Sequence, residues 1–90
     1  MDNKELFFKL QESVFSLADV IFRFTSGSDR TKAFSTRLKP LLDESYELTK
    51  SLTPAFYSNQ DDESFIDIKK NINRLIQRIN STSENIKQNC

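Results

Sequence analysis

The residue types on which most enzyme active sites depend are scarce in this chain of 90 residues. It has no histidine, one cysteine and one glycine. The lack of histidine excludes histidine-based acid–base catalysis, phosphohistidine transfer and most zinc sites. A single cysteine leaves no redox pair, and a single glycine does not build a glycine-rich phosphate loop. We therefore expect no enzymatic activity, no catalytic residue, no metal site and no cofactor.

One dense acidic run, formed by Asp61, Asp62 and Glu63, has the chemistry of a cation site. The spacing of an EF-hand loop is missing, however, and consecutive carboxylates do not all point at one ion. Negative charge also stabilises the positive end of a helix dipole. We interpret this run as the start of a helix rather than as a metal site.

Two stretches of the chain are locally basic, one from Arg30 to Lys39 and one from Lys69 to Lys87. The formal net charge is nevertheless zero, whereas a domain that binds nucleic acid usually carries a basic excess. Neither stretch is interleaved with aromatic residues, as a single-strand binder would be. We expect solvated helix faces and no nucleic-acid partner, and the alternative is a weak contact with nucleic acid or anionic lipid.

The ends of the chain predict its compartment. The first residues are charged, unlike a secretory signal, and no segment approaches the ~18 apolar residues of a membrane span. Cys90 has no second cysteine for an internal disulfide. We expect a cytoplasmic protein in which Cys90 is an inert end, with a dimer linked through Cys90 as the alternative.

The first predicted helix covers about residues 4–25, and its apolar residues fall into three series that each repeat every seven positions. Two of these series interleave with the three–four spacing of an amphipathic helix, and we expect this stripe to face the core. Asp2 or Asn3 is expected to cap the helix, and Gly27 is expected to end it in a left-handed conformation. The predicted core stripe comprises Phe7, Leu10, Val14, Leu17, Ile21 and Phe24.

The third series, Phe8, Phe15 and Phe22, makes this helix apolar over about half of its circumference, so we expect neighbours on two sides. The favoured interpretation is that this stripe packs under the third helix, while the Phe7 series packs under the second. The alternative is that part of the stripe stays open and receives a helix from a partner or from a second copy. Val20, close to the polar side, would enlarge the exposed apolar surface.

A second helix is predicted at about residues 29–52 and a third at 61–87. Pro40 falls inside the second, and the apolar spacing continues on both sides of it, which favours one kinked helix over two shorter ones. Phe56 and Tyr57 lie in the connection, where we expect them to plug the end of the bundle, with an exposed contact patch as the alternative. The seam of the third helix comprises Phe65, Ile68, Ile72, Leu75, Ile79, Thr82 and Ile86.

These patterns predict an all-α fold, an antiparallel up-down-up three-helix bundle with heptad seams, in a single domain over residues 1–90. Association with a further chain could complete it to a larger bundle.

The sequence favours a non-enzymatic helical protein-interaction module, such as an adaptor, a regulator or an assembly subunit. It would bind a partner helix or self-associate through the Phe-rich face of the first helix. The alternative is a membrane-surface or immunity-type helical bundle that opposes or joins a membrane-active protein. The candidate partner-binding residues are Phe8, Phe15, Phe22, Val20, Phe56 and Tyr57.

Overall fold

A computed structural model describes residues 2–57, 63 and 65–88, and within these residues it contains helices and no strand. Three long helical segments pack as a three-helix bundle, which confirms the predicted all-α class. Asp61, Asp62 and Cys90 lie outside the described residues. The elements in chain order are α1 (Asn3–Phe24), α2 (Gly27–Ala33), a π-helical turn (Phe34–Leu38), α3 (Lys39–Lys50), α4 (Pro54–Tyr57) and α5 (Phe65–Gln88).

The two ends of α1 can be compared with the predicted capping residue and the predicted terminating glycine. The Asp2 side chain accepts a hydrogen bond of 2.7 Å from the backbone N–H of Glu5, which satisfies one of the free N–H groups of the first turn. The chain leaves the helix at Thr25 in an extended conformation, and Gly27 follows with φ of 58°. A residue without Cβ adopts this left-handed conformation at no steric cost. The cap at Asp2 and the left-handed conformation of Gly27 are thus confirmed, but Gly27 is the first residue of α2 and not the residue that ends α1.

The second long helical segment runs from Gly27 to Lys50 without a break, because a π-helical turn precedes the proline. The backbone N–H of Lys39 bonds the carbonyl of Phe34, five residues earlier, and Pro40 lies in the first turn of α3. A proline there needs no N–H donor. The structure therefore combines the two predicted alternatives. The helical segment is continuous, as the first alternative has it, and Pro40 lies in the first turn of an α-helix, as the second has it.

The core lies mainly between α1 and α5, the pair of elements with the most extensive contact. The predicted seam residues Phe65, Ile72, Leu75, Ile79 and Ile86 are all buried. Ser83 is buried where the prediction placed Thr82, which is only half-buried. The heptad register and the up-down-up order stay predictions.

The face of α1 that packs against this core differs from the predicted stripe. Asn3, Leu6, Ser13 and Val20 are buried together with three residues of that stripe. At about 100° per residue, the buried face is rotated by roughly 30° from the predicted one. The rotation leaves Phe7 and Val14 half-buried, whereas Phe24 lies on the buried side but is exposed at the last residue of α1. The residues shared by the predicted and the observed face are Leu10, Leu17 and Ile21.

The buried polar side chains of α1 are both hydrogen-bonded, which is the usual condition for burying them. Asn3 Nδ2 donates to the carbonyl of Phe56 at 2.9 Å. The Ser13 hydroxyl donates to the carbonyl of Lys9, also at 2.9 Å. A pattern based on hydrophobicity assigns Asn3 and Ser13 to the polar side of α1. The predicted core stripe therefore leaves out these two positions, although both are buried.

Candidate interaction surface

An exposed stripe of phenylalanines runs along α1. Phe8 is 48% exposed, Phe15 74% and Phe22 59%. The interpretation that this stripe packs under the third helix is therefore wrong, and the alternative, an open stripe, describes the structure. Its members repeat every seven residues, so neighbouring rings are about 10 Å apart along the helix axis.

The rotation of α1 explains this exposure. At about 100° per residue, Phe15 lies roughly 140° around the helix from Leu10 and roughly 160° from Leu17, two fully buried residues. The bundle measures 46 × 20 × 16 Å, about two helix diameters across. Among the described residues, no helix covers the far side of α1 in so narrow a rod, so the stripe faces solvent.

Beside the stripe, α1 and α3 form an apolar groove of about 260 Å³. Val14 and Phe15 lie on its α1 side, and Leu42 and Tyr46 lie on its α3 side. Leu42 is 46% exposed and Tyr46 62%. The groove joins the stripe to an exposed part of α3, and we call the stripe, Leu42 and Tyr46 together the aromatic face.

Leu42 and Tyr46 belong to this face but are not among the candidate residues predicted from the sequence. They are four residues apart, the spacing that places two side chains on one side of a helix. Leu41 is the only residue described as buried in α3, and Leu48 is half-buried. α3 thus contributes little to the core and still carries large apolar side chains on its exposed side.

Cations lie over three of the exposed rings. The Arg30 guanidinium is 4.2 Å from the centroid of the Phe22 ring, and Lys50 Nζ is 4.7 Å from that of Tyr46. Lys4 Nζ is 6.0 Å from the Phe8 centroid, at the limit of a cation–π contact. Within the described part of the chain, Phe15 has no such cover. Phe15 is therefore the largest bare apolar side chain of the aromatic face and lies at the middle of the stripe.

Arg30 also fixes the corner between α1 and α2. Its Nη2 donates to the carbonyls of Phe22 and Thr25 at 2.6 and 2.7 Å, and its Nε donates to Thr25 at 3.1 Å. These are carbonyls at the end of α1, and a cation there also opposes the negative end of the helix dipole. Arg30 therefore holds the Phe22 end of the stripe in place.

Two of the candidate partner-binding residues are buried, so both assignments are corrected. Val20 is 5% exposed, because at about 100° per residue it lies roughly 60° around α1 from the fully buried Leu17, at the edge of the buried face. Phe56 is fully buried and meets the Phe65 ring edge-on, with 5.5 Å between the ring centroids. Phe56 thus plugs the end of the bundle, as the favoured interpretation held. The side chain of Tyr57 lies outside the described residues.

The described residues contain no group of three or more acidic, cysteine or histidine side chains that could hold a metal ion. Nor is any helix among them both long enough and apolar enough to cross a membrane. The ion pairs are exposed and mostly lie within one helix, as Asp19–Arg23 at 2.9 Å and Lys39–Asp43 at 3.0 Å do. Such pairs contribute little to stability.

Comparison with known proteins gives no match to a protein-family model, to a curated protein or to a solved structure. The aromatic face is therefore interpreted from its own chemistry.

Proposed function

We propose that this chain is a non-enzymatic helical assembly subunit, and that a second copy of the chain covers its aromatic face. The observation that carries this proposal is the exposure of Phe8, Phe15 and Phe22 beside the apolar groove between α1 and α3. Two copies in contact through α1 and α3 would place four helices around a shared apolar layer, the arrangement of a four-helix bundle.

The area of the aromatic face suits such a contact. At about 150–250 Å² for a whole aromatic side chain, its exposed portions sum to roughly 500 Å². That is near the upper end of the largest apolar patch on an ordinary monomer. A standard interface takes about 800 Å² from each partner, of which about two-thirds is apolar in homodimers. The aromatic face therefore supplies the apolar part of one such interface.

The shape and the charge of this face favour a copy of the same chain. A two-fold contact requires one surface to be complementary to itself, and here a ridge of phenylalanines lies beside a groove. The ridge of the first copy can pack into the groove of the second copy, and the ridge of the second copy can pack into the groove of the first. The chain has a formal net charge of zero, so two copies do not repel each other at long range. Paired charges such as Asp19–Arg23 suit a polar rim.

Phe15→Asp should convert a dimer into a folded monomer. Phe15 is 74% exposed in the single chain, so a carboxylate there stays hydrated in the monomer but would be buried without a partner in the dimer. Loss of a central aromatic anchor costs at least about 2 kcal/mol, which weakens the dimer by about thirtyfold or more. Sedimentation equilibrium gives the dissociation constant, and circular dichroism shows whether the helices are retained.

The matched control is Ile66→Asp, because Ile66 is a similarly exposed apolar residue, at 49%, and lies outside the aromatic face on α5. It should leave the dissociation constant unchanged. A wild-type chain that stays monomeric up to millimolar concentration contradicts the proposal, as does an Ile66→Asp variant that dissociates as readily as Phe15→Asp.

A second candidate, a bundle that acts at a membrane surface, is supported by the cations over the exposed rings. Lys4, Arg30 and Lys50 lie at aromatic side chains of the face, and basic residues beside apolar ones are typical of interfacial helices. In this case the chain should float with vesicles of phosphatidylcholine and phosphatidylserine at low salt, and Phe15→Asp should not. Failure of the wild-type chain to float removes this candidate.

A further inference from the structure

The two basic stretches of the sequence meet in a cleft at the π-helical turn. Arg37 comes from that turn, and Arg74 and Arg78 come from α5. The cleft has a volume of about 540 Å³, and none of the described residues that line it carries a carboxylate. Gln77 and Ser81 add amide and hydroxyl groups to its wall, whereas the Thr36 hydroxyl there already donates to the carbonyl of Lys32. Residues almost forty positions apart in the chain thus form one surface of positive charge and hydrogen-bond donors.

The positive charge of this cleft is only partly neutralised within the chain. Arg78 Nη1 is paired with Glu44 Oε2 at 2.5 Å, which fixes the orientation of its guanidinium. Among the described residues, Arg37 and Arg74 have no carboxylate within ion-pair distance.

The groove between α3 and α5, which Arg74 and Arg78 also line, contains three carboxylates, but each of them already has a cation. Asp43 pairs with Lys39, Glu44 pairs with Arg78 and Glu47 pairs with Lys50. The cleft therefore retains the charge of about two unpaired guanidinium groups.

We propose that this cleft binds the phosphate group of a small phosphorylated molecule. Guanidinium groups donate paired hydrogen bonds that match phosphate oxygens, and charge-assisted bonds of this kind are about twice as strong as neutral ones. A dianion also relieves the repulsion between arginines held in one cleft. The wall formed by the π-helical turn fits this role, because such turns often occur at functional sites. The site is separate from the aromatic face and does not depend on it.

Titration with inorganic pyrophosphate, followed by calorimetry at low ionic strength, tests the site. We expect saturable binding with a dissociation constant on the order of 1 mM or tighter. Arg37→Gln and Arg74→Gln should each weaken it about tenfold, since each removes a charge-assisted pair of donors. Both side chains are exposed, so we expect the helical circular dichroism signal to be retained. Added salt should weaken binding.

The matched control is Arg23→Gln, which removes an exposed arginine that already pairs with Asp19 outside the cleft. It should leave pyrophosphate binding unchanged. The absence of saturable binding up to about 10 mM overturns the proposal, and so does an Arg23→Gln variant that binds as weakly as Arg74→Gln, because the attraction would then be diffuse.

A vesicle experiment identifies the source of the phosphate group. Vesicles of phosphatidylcholine with phosphatidic acid present a phosphate monoester, and vesicles with phosphatidylserine, matched in total charge, do not. A preference for phosphatidic acid that Arg74→Gln abolishes supports the site and identifies a lipid headgroup. Pyrophosphate binding without such a preference supports the site and identifies a soluble ligand.

Discussion

Replacing Phe56 with alanine should lower the free energy of unfolding by about 3–5 kcal/mol, the range measured for buried aromatic residues in other cores. Phe56 has no exposed surface, and its ring lies edge-on against Phe65. Its carbonyl accepts the hydrogen bond from the buried Asn3 side chain. The substitution therefore opens a cavity where the beginnings of α1 and α5 meet, and it loosens the contact that satisfies Asn3.

A loss of this size is a large share of the total for a small domain, whose free energy of unfolding is about 5–15 kcal/mol. Urea unfolding followed by circular dichroism at low protein concentration measures it. The matched control is Phe15→Ala, the same substitution at a residue that is 74% exposed, and it should change the monomer by about 0.5 kcal/mol or less. Equal losses for the two variants would show that Phe56 does not plug the bundle end.

The sequence predicted most of what local patterns control. Each long helix has an apolar repeat, a capping residue or a terminating glycine, and these depend on neighbours in the chain. Asp2 therefore caps α1 as predicted, and Gly27 has the predicted left-handed conformation although it begins α2. In α5 most apolar residues belong to one heptad series, with Ile66 and Ile76 outside it, and five of the seven predicted seam members are buried: Phe65, Ile72, Leu75, Ile79 and Ile86.

The side of α1 that faces the core was not available from the sequence alone. Three series of large apolar residues repeat on this helix, so its hydrophobicity is spread too widely to define one direction. The choice depends on tertiary contacts, including the hydrogen bond from Asn3 to Phe56 across more than fifty residues. A roughly 30° rotation then decided which aromatic side chains are exposed.

The candidate surface was predicted only in part, because it too depends on tertiary contacts. Phe8, Phe15 and Phe22 were identified from their spacing, but Leu42 and Tyr46 join them only through the packing of α1 against α3. The arginine cleft likewise depends on where the π-helical turn lies relative to α5. A surface formed by two segments that are distant in the sequence can be identified only from the fold, whereas the spacing of residues along one helix can be read from the sequence.

Val20→Asp tests the corrected face of α1 and should unfold the chain. Val20 is 5% exposed and belongs to the core cluster, so the substitution loses the burial of the valine and places a carboxylate in apolar surroundings. The lost burial contributes about 1.5–3 kcal/mol, and an unpartnered buried charge contributes about 3–5 kcal/mol. Together they are comparable to the whole free energy of unfolding of a small domain.

The same substitution at Phe15 and at Phe22 provides the contrast, because these residues lie on the exposed stripe, five residues before and two residues after Val20. If α1 faces the core through Leu6, Leu17 and Val20, then Val20→Asp loses its helical circular dichroism signal at 25 °C while Phe15→Asp and Phe22→Asp keep theirs. Had the predicted stripe been correct, with Val20 near the polar side, Val20→Asp would be folded. A folded Val20→Asp chain together with an unfolded Phe15→Asp chain would contradict the corrected face. That result would place the phenylalanine stripe in the core, and the aromatic face would then not be a docking surface.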